Sequence, residues 1–229
     1  MSRTIPLVDL DQYKKGNAAD RNAFINKLGD AFSQVGFVGI VNHGVPAELV
    51  DTFYSEAKRF FALPVATKRQ YEVPGLAGQR GYTSFGKEHA KQSQVADLKE
   101  FYQIGQVVVD GDPIKNEYPD NVYVRETPVF TATGDQLYRA FETSGAWLLQ
   151  AIAEYLDLGV DYFRDKIKNG NSILRAIHYP PITEEPKTAI RAEQHEDINL
   201  ITLLVGASAG GLELLNKQGE WLAIVPEEN

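Results

Sequence analysis

The sequence has no cysteine and a single methionine among its 229 residues. Disulfide scaffolds, thiolate zinc sites, thiolate-held iron–sulfur clusters and cysteine nucleophiles are therefore excluded. No apolar run approaches the roughly 18 residues needed to span a bilayer. The N-terminal Met1-Ser2-Arg3-Thr4-Ile5-Pro6 lacks the apolar stretch of a secretory signal. Positive charge is also scarce. Lys and Arg number 23 against 31 Asp and Glu, a formal net charge of −8, and no basic run exceeds two residues. Such a surface repels phosphate backbones and argues against nucleic acid as a partner. The expectation is a soluble, cytoplasmic protein with no membrane partner. At 43% hydrophobic residues it can bury one good core, or two small ones that share a wall.

Hydrophobic spacing predicts a helix-rich first part. Ile5 to Leu10 reads as a short strand, and Asp20 as the cap of a helix with Phe24, Leu28, Phe32 and Val35 on one face, stopped by Gly36. Phe37 to Val41 reads as a buried strand. Pro46 opens a helix with Leu49, Val50, Phe53, Ala57 and Phe60 along its apolar stripe. Gly75 to Gly86, with four glycines, is predicted as a long functional loop. Asp97 to Gly105 reads as a strand, Asp110 to Pro119 as a connector, and Gly134 to Leu158 as a long helix. The period then changes to two. Strands are predicted at Ser172–Tyr179, Asn199–Val205, Leu212–Leu215 and Trp221–Val225, the last two joined as a hairpin. Helices followed by antiparallel strands imply an α+β fold with a sandwich or jelly-roll core.

Four histidines are available: His43, His89, His178 and His195. His195 and Asp197 are two apart just before an apolar segment, and in extended chain residues i and i+2 project to the same side. An imidazole nitrogen and a carboxylate oxygen can thus meet one ion, two thirds of the two-histidine, one-carboxylate set that suits ferrous iron. On spacing alone, a strand-end histidine beside a turn-forming aspartate is the better fit. Arg175 lies four residues before Tyr179 and so shares its strand face. It is either a solvated strand arginine or a two-pronged carboxylate binder. Tyr179 fits a core tyrosine with a satisfied hydroxyl. Arg80, Tyr82, Ser84 and Phe85 in the glycine-rich loop are candidates for the rim of a substrate pocket. His178 reads as packed and His89 as solvated.

The stretches Ser172-Ile-Leu-Arg-Ala-Ile-His-Tyr-Pro-Pro181 and Arg191-Ala-Glu-Gln-His-Glu-Asp-Ile-Asn-Leu-Ile-Thr-Leu-Leu204 resemble the non-haem iron(II), 2-oxoglutarate-dependent dioxygenases related to isopenicillin N synthase. Ile5-Pro-Leu-Val-Asp-Leu10, Gly36-Phe-Val-Gly-Ile-Val-Asn-His-Gly-Val45, Phe60-Phe-Ala-Leu-Pro64, Gly81-Tyr82 and Asp97-Leu-Lys-Glu-Phe101 extend the resemblance along nearly the whole chain.

The resemblance implies a helix-rich N-terminal region (1–120) followed by a double-stranded β-helix, or jelly-roll, core (121–229). It implies iron(II) as cofactor, 2-oxoglutarate as cosubstrate, and dioxygen and a small organic molecule as partners, with release of succinate and carbon dioxide. His195 and Asp197 match iron ligands, Tyr179 matches a tyrosine that contacts the cosubstrate carboxylate, and His43 matches a structural position in a turn between strand and helix. The chain departs from the family pattern in one respect: no histidine follows His195. The second histidine ligand and an Arg-x-Ser cosubstrate anchor are therefore expected beyond Asn229, with the jelly roll incomplete at this C-terminus. The alternative expectation is a truncated, catalytically inactive jelly-roll binding module. Substrate and oligomeric state are not legible.

Overall fold

The computed structural model describes residues 5–87, 98–181, 191, 194–197, 199–205, 210–217 and 219–223. These fall into two compact units that interleave along the chain. One draws on Met1–Gly44, Thr143–Lys168 and Leu200–Asn229, the other on Val45–Glu142 and Asn169–Asn199.

In the first unit, β1 (Leu7–Asp9) runs parallel to β2 (Gly39–Val41), with Val8 opposite Ile40. Two helices separate them, α1 (Leu10–Lys15) and α2 (Ala18–Gln34). The cap of α2 is Asn17, not Asp20. The Asn17 side chain accepts from the Ala19 and Asp20 N–H groups, and Asp20 reaches back to the Asn17 N–H, a reciprocal capping box. Asp20 is thus the third helical residue of the box. Gly36, at φ +87°, ends the helix as predicted, its N–H on the Ala31 carbonyl. Val8, Leu10, Tyr13, Phe24, Leu28, Leu148 and Ala151 form the core, and Ile201 and Leu203 pack against it. The predicted strand at 199–205 is not one. Its alternate residues 201 and 203 turn inward, but no neighbouring strand among the described residues supplies the ladder that defines a strand. The short helix α6 (Arg164–Ile167) and the antiparallel hairpin β6 (Glu213–Leu215) to β7 (Trp221–Ala223) complete this unit.

The second unit is built on a three-stranded antiparallel sheet in the order β3 (Gly81–Thr83), β4 (Glu100–Gly105), β5 (Ile173–His178). The glycine-rich loop therefore contains a strand. The register sets Tyr82 opposite Tyr102, Phe101 opposite Ile177, Gln103 opposite Arg175 and Glu100 opposite His178. Because strand side chains alternate, the two sheet faces carry different chemistry. Tyr82, Tyr102, Ile104, Leu174 and Ala176 face the core. Phe101, Gln103, Arg175 and Ile177 share the other face.

Helix α3 (Ala47–Phe61) covers the core face. It starts behind Pro46 and contributes Phe53, Ala57, Phe60 and Phe61, then leads to α4 (Val65–Lys68). Fully buried Phe60 is the hub, with ring centroids 5.0 Å from Tyr102 and 5.2 Å from Phe130. Such aromatic pairs add to what area burial alone contributes. The long helix α5 (Pro128–Tyr155) starts six residues before its predicted point. Proline is favoured at the first helical position, where its missing N–H costs nothing, and Phe130 needs the early start to reach the core. Among the described residues no helix is long and apolar enough to cross a membrane.

Candidate functional site

Strand β5 and the chain after it carry the predicted site residues. Arg175 is exposed on the face away from the core. Its guanidinium lies 4.4 Å from the Phe101 ring centre, a cation–π contact across the β4–β5 pair. Gln103, buried and directly opposite, faces its amide nitrogen to the Gly78 carbonyl at 3.2 Å. That orientation of the amide is assigned from its neighbours, and in it the amide oxygen accepts from Arg175 Nη2 and Nε at 2.8 and 3.1 Å. A planar cation held by a ring on one side and an amide at its edge is pre-oriented for a carboxylate. Phe101 and Gln103 have no functional mark in the sequence, and only the strand register places them against Arg175. Tyr179 is half-buried immediately after β5.

His195 and Asp197 come together. Nε2 of His195 lies 3.7 Å from Oδ1 of Asp197, and the side chains are 61% and 50% exposed. Two donors on one first-row divalent ion, each at ~2.1 Å, lie ~3.0–4.2 Å apart for angles from right to straight. The pair fits one such ion, and its neutral nitrogen and anionic oxygen are the donor types such ions take. Among the described residues no group of three or more His, Asp or Glu side chains converges.

The loop candidates separate. Arg80 is 0% exposed and is no rim residue. Its guanidinium occupies the space a side chain on Gly105 would need, with Cζ 1.9 Å from an ideal Cβ there. It donates to the Gln79 carbonyl at 2.8 Å and to Asn171 Oδ1 at 3.3 Å. The glycine at 105 admits the large cation, which no reading of the loop alone reveals. Tyr82 is also buried, its hydroxyl donating to Glu100. Ser84 is buried, and its N–H donates to Glu72 at 3.2 Å. Only Phe85, 47% exposed, matches the expected setting of a rim.

His178 is packed as expected, its ring 5.0 Å from that of Phe61. His43 sits half-buried between Asn42 at φ +53° and Gly44 at φ +81°, and burial lowers its pKa below the usual histidine range. His89 lies outside the described residues. A cavity of about 210 Å³ in the second unit, lined by Gln106, Asp135, Tyr138, Arg139, Glu142 and Asn169, contains none of the candidate site residues.

Residues 5–126 match the family described as the N-terminal region of non-haem dioxygenase in morphine synthesis. Residues 170–229 match the 2OG-Fe(II) oxygenase superfamily. The chain belongs to the non-haem 2OG-Fe(II) oxygenases, oxidoreductases that use iron(II) and 2-oxoglutarate. A solved 2OG-Fe(II) oxygenase family protein of Caulobacter crescentus is 40% identical. Its alignment covers 97% of this chain and 70% of that one, with a TM-score of 0.83. A 2-oxoglutarate-Fe(II) type oxidoreductase of Metarhizium rileyi, ppzD, is 30% identical over 98% of this chain and 67% of its own length. A full-length Neurospora crassa protein, solved in complex with α-ketoglutarate and thymine, is 25% identical. Its alignment covers 98% of this chain and 71% of that one, with a TM-score of 0.83. The chain spans about two thirds of the length of the relatives it matches, from 66% to 71% among the curated ones.

Proposed function

We propose that this protein oxidises a small organic substrate with dioxygen and 2-oxoglutarate, releasing succinate and carbon dioxide. The balance is one dioxygen per turnover, with one oxygen atom ending in succinate and the other in the oxidised product. The observation that carries the reading is the His195–Asp197 pair, 3.7 Å apart. Iron(II), when bound, supplies the redox capacity that no side chain here has. His195 offers a neutral nitrogen and Asp197 a negative oxygen, so together they offset one of the ion's two charges and leave other positions open.

The remaining residues bind and orient. Arg175, set by Phe101 and Gln103, pairs with a carboxylate of cosubstrate or substrate, and Tyr179 donates its hydroxyl to the same ligand. Phe85 offers an apolar wall at the mouth of the site. The strands belong, on this reading, to a jelly-roll core of the kind its relatives share.

The test is anaerobic loading with ferrous iron, followed by exposure to air in the presence of 2-oxoglutarate. Succinate should form in the native protein, and Asp197→Ala should abolish it with little change in the melting curve. Undiminished succinate from Asp197→Ala contradicts the assignment.

A further inference from the structure

The core face of the three-stranded sheet carries a buried charged network that the proposed chemistry does not use. At its centre is Glu100, the first residue of β4, 5% exposed. Lys68, at the end of α4 and 4% exposed, donates from Nζ to both Glu100 oxygens at 2.8 and 3.0 Å, and to the Phe61 carbonyl at 2.9 Å. The Tyr82 hydroxyl donates to Oε2. His178 completes the set, with Nδ1 2.8 Å from Oε1. An ionised carboxylate only accepts, so the proton of this contact lies on Nδ1. An unpaired charge buried here would be very costly, whereas this one is met by donors from α4, β3 and β5.

The network's reach matters because of where His178 stands. Glu100 and His178 are the last pair of the β4–β5 ladder, and Tyr179 is the next residue. Pro180 and Pro181 follow, and neither has an N–H with which to continue a ladder. Strand ends without such continuation fray. On the same face of β5, Leu174 and Ala176 are apolar, and His178 breaks that pattern only to reach Glu100.

We infer that Glu100 is a positioning residue which, through Nδ1 of His178, pins the exit of β5 and so fixes where Tyr179 stands. The inference rests on the proposed role of Tyr179 toward the cosubstrate. Lys68 and Tyr82 keep the Glu100 carboxylate charged and aimed. Phe61, stacked on the His178 ring at 26°, sets the plane in which Nδ1 points.

The experiment uses the full chain and His178→Phe, which keeps a ring on Phe61 and removes only the link to Glu100. Backbone amide exchange at residues 177–179 is measured alongside 2-oxoglutarate affinity, with manganese(II) in place of iron so that nothing turns over. Exchange should quicken about tenfold or more, and affinity should fall about tenfold. His178→Asn, whose amide nitrogen approximates Nδ1, should restore both. Glu100→Gln is a second variant for the same two readouts wherever it folds.

Equal exchange in native protein and His178→Phe overturns the inference whether or not cosubstrate binds. Faster exchange with unchanged affinity also overturns it and leaves Glu100 a purely structural residue. If the native protein does not bind 2-oxoglutarate, the functional reading falls instead, and the exchange measurement alone decides whether Glu100 pins the strand.

Discussion

The guanidinium of Arg175 lies 4.4 Å from the centre of the Phe101 ring, one strand away and diagonal to it in the register. The ring holds the planar cation in one orientation, and an ammonium cannot copy that stacking or the two-pronged contact it permits. Arg175→Lys should therefore weaken 2-oxoglutarate or substrate binding about tenfold, close to the loss in Arg175→Ala. Phe101→Leu should show a smaller loss of the same kind. Isothermal titration checks both, and an Arg175→Lys variant with native affinity would return Arg175 to a solvated strand arginine.

Arg80 makes a different prediction, because it is packed and not poised. Its guanidinium fills the space above Gly105. Gly105→Ala forces an extra carbon into an occupied volume and should cost about 1–3 kcal/mol. Arg80→Ala empties a fully buried volume and should cost about 2–4 kcal/mol. Urea unfolding measures both. A variant at position 80 with native stability and altered ligand affinity would restore the rim assignment.

Stability should also depend on pH through Glu100. Burial alone would push its carboxyl up, but the hydrogen bonds from Lys68, Tyr82 and His178 outweigh burial and hold it below the ordinary carboxylate range. A depressed folded-state pKa contributes stability that is present above the unfolded value, about 4.3, and is lost as pH falls through the folded value. Glu154, held down against burial by Arg21 and Tyr13, acts with the same sign. The melting temperature should thus fall slightly from about pH 7 to 5, because burial lowers the His43 pKa and the unfolded chain binds that proton first, and fall more steeply below about pH 4.3. Glu100→Gln should melt lower at pH 7, since a buried pair that loses one partner costs about 3–5 kcal/mol, and it should show a shallower acid slope. A native protein whose melting temperature is flat down to about pH 3 contradicts this account of Glu100.

Local pattern carried much of the fold. The stripes through Phe24 and Leu28 and through Phe53 and Phe60, the stop at Gly36, the 173–178 strand and the terminal hairpin were all visible, because each depends on residues a few positions apart. Partner-dependent features were not. Residues 199–205 alternate like a strand, yet strand formation requires a neighbour that no spacing reveals.

The site divides in the same way. His195 and Asp197 are two residues apart, so an extended chain brings them together, whereas Arg175 meets Phe101 and Gln103 only through the register. Glu100 gathers Lys68 and His178 from 32 and 78 residues away. Arg80 looked exposed because its loop is rich in glycine, and was buried because a distant glycine made room.

Whether His195 and Asp197 hold iron is read from divalent-metal binding by this chain, titrated anaerobically with ferrous iron in the native protein, His195→Ala and Asp197→Ala. Saturable one-to-one binding is expected in the native protein, weakened at least about tenfold by either substitution, since each removes one of the donors. Equal affinity in all three proteins would contradict it.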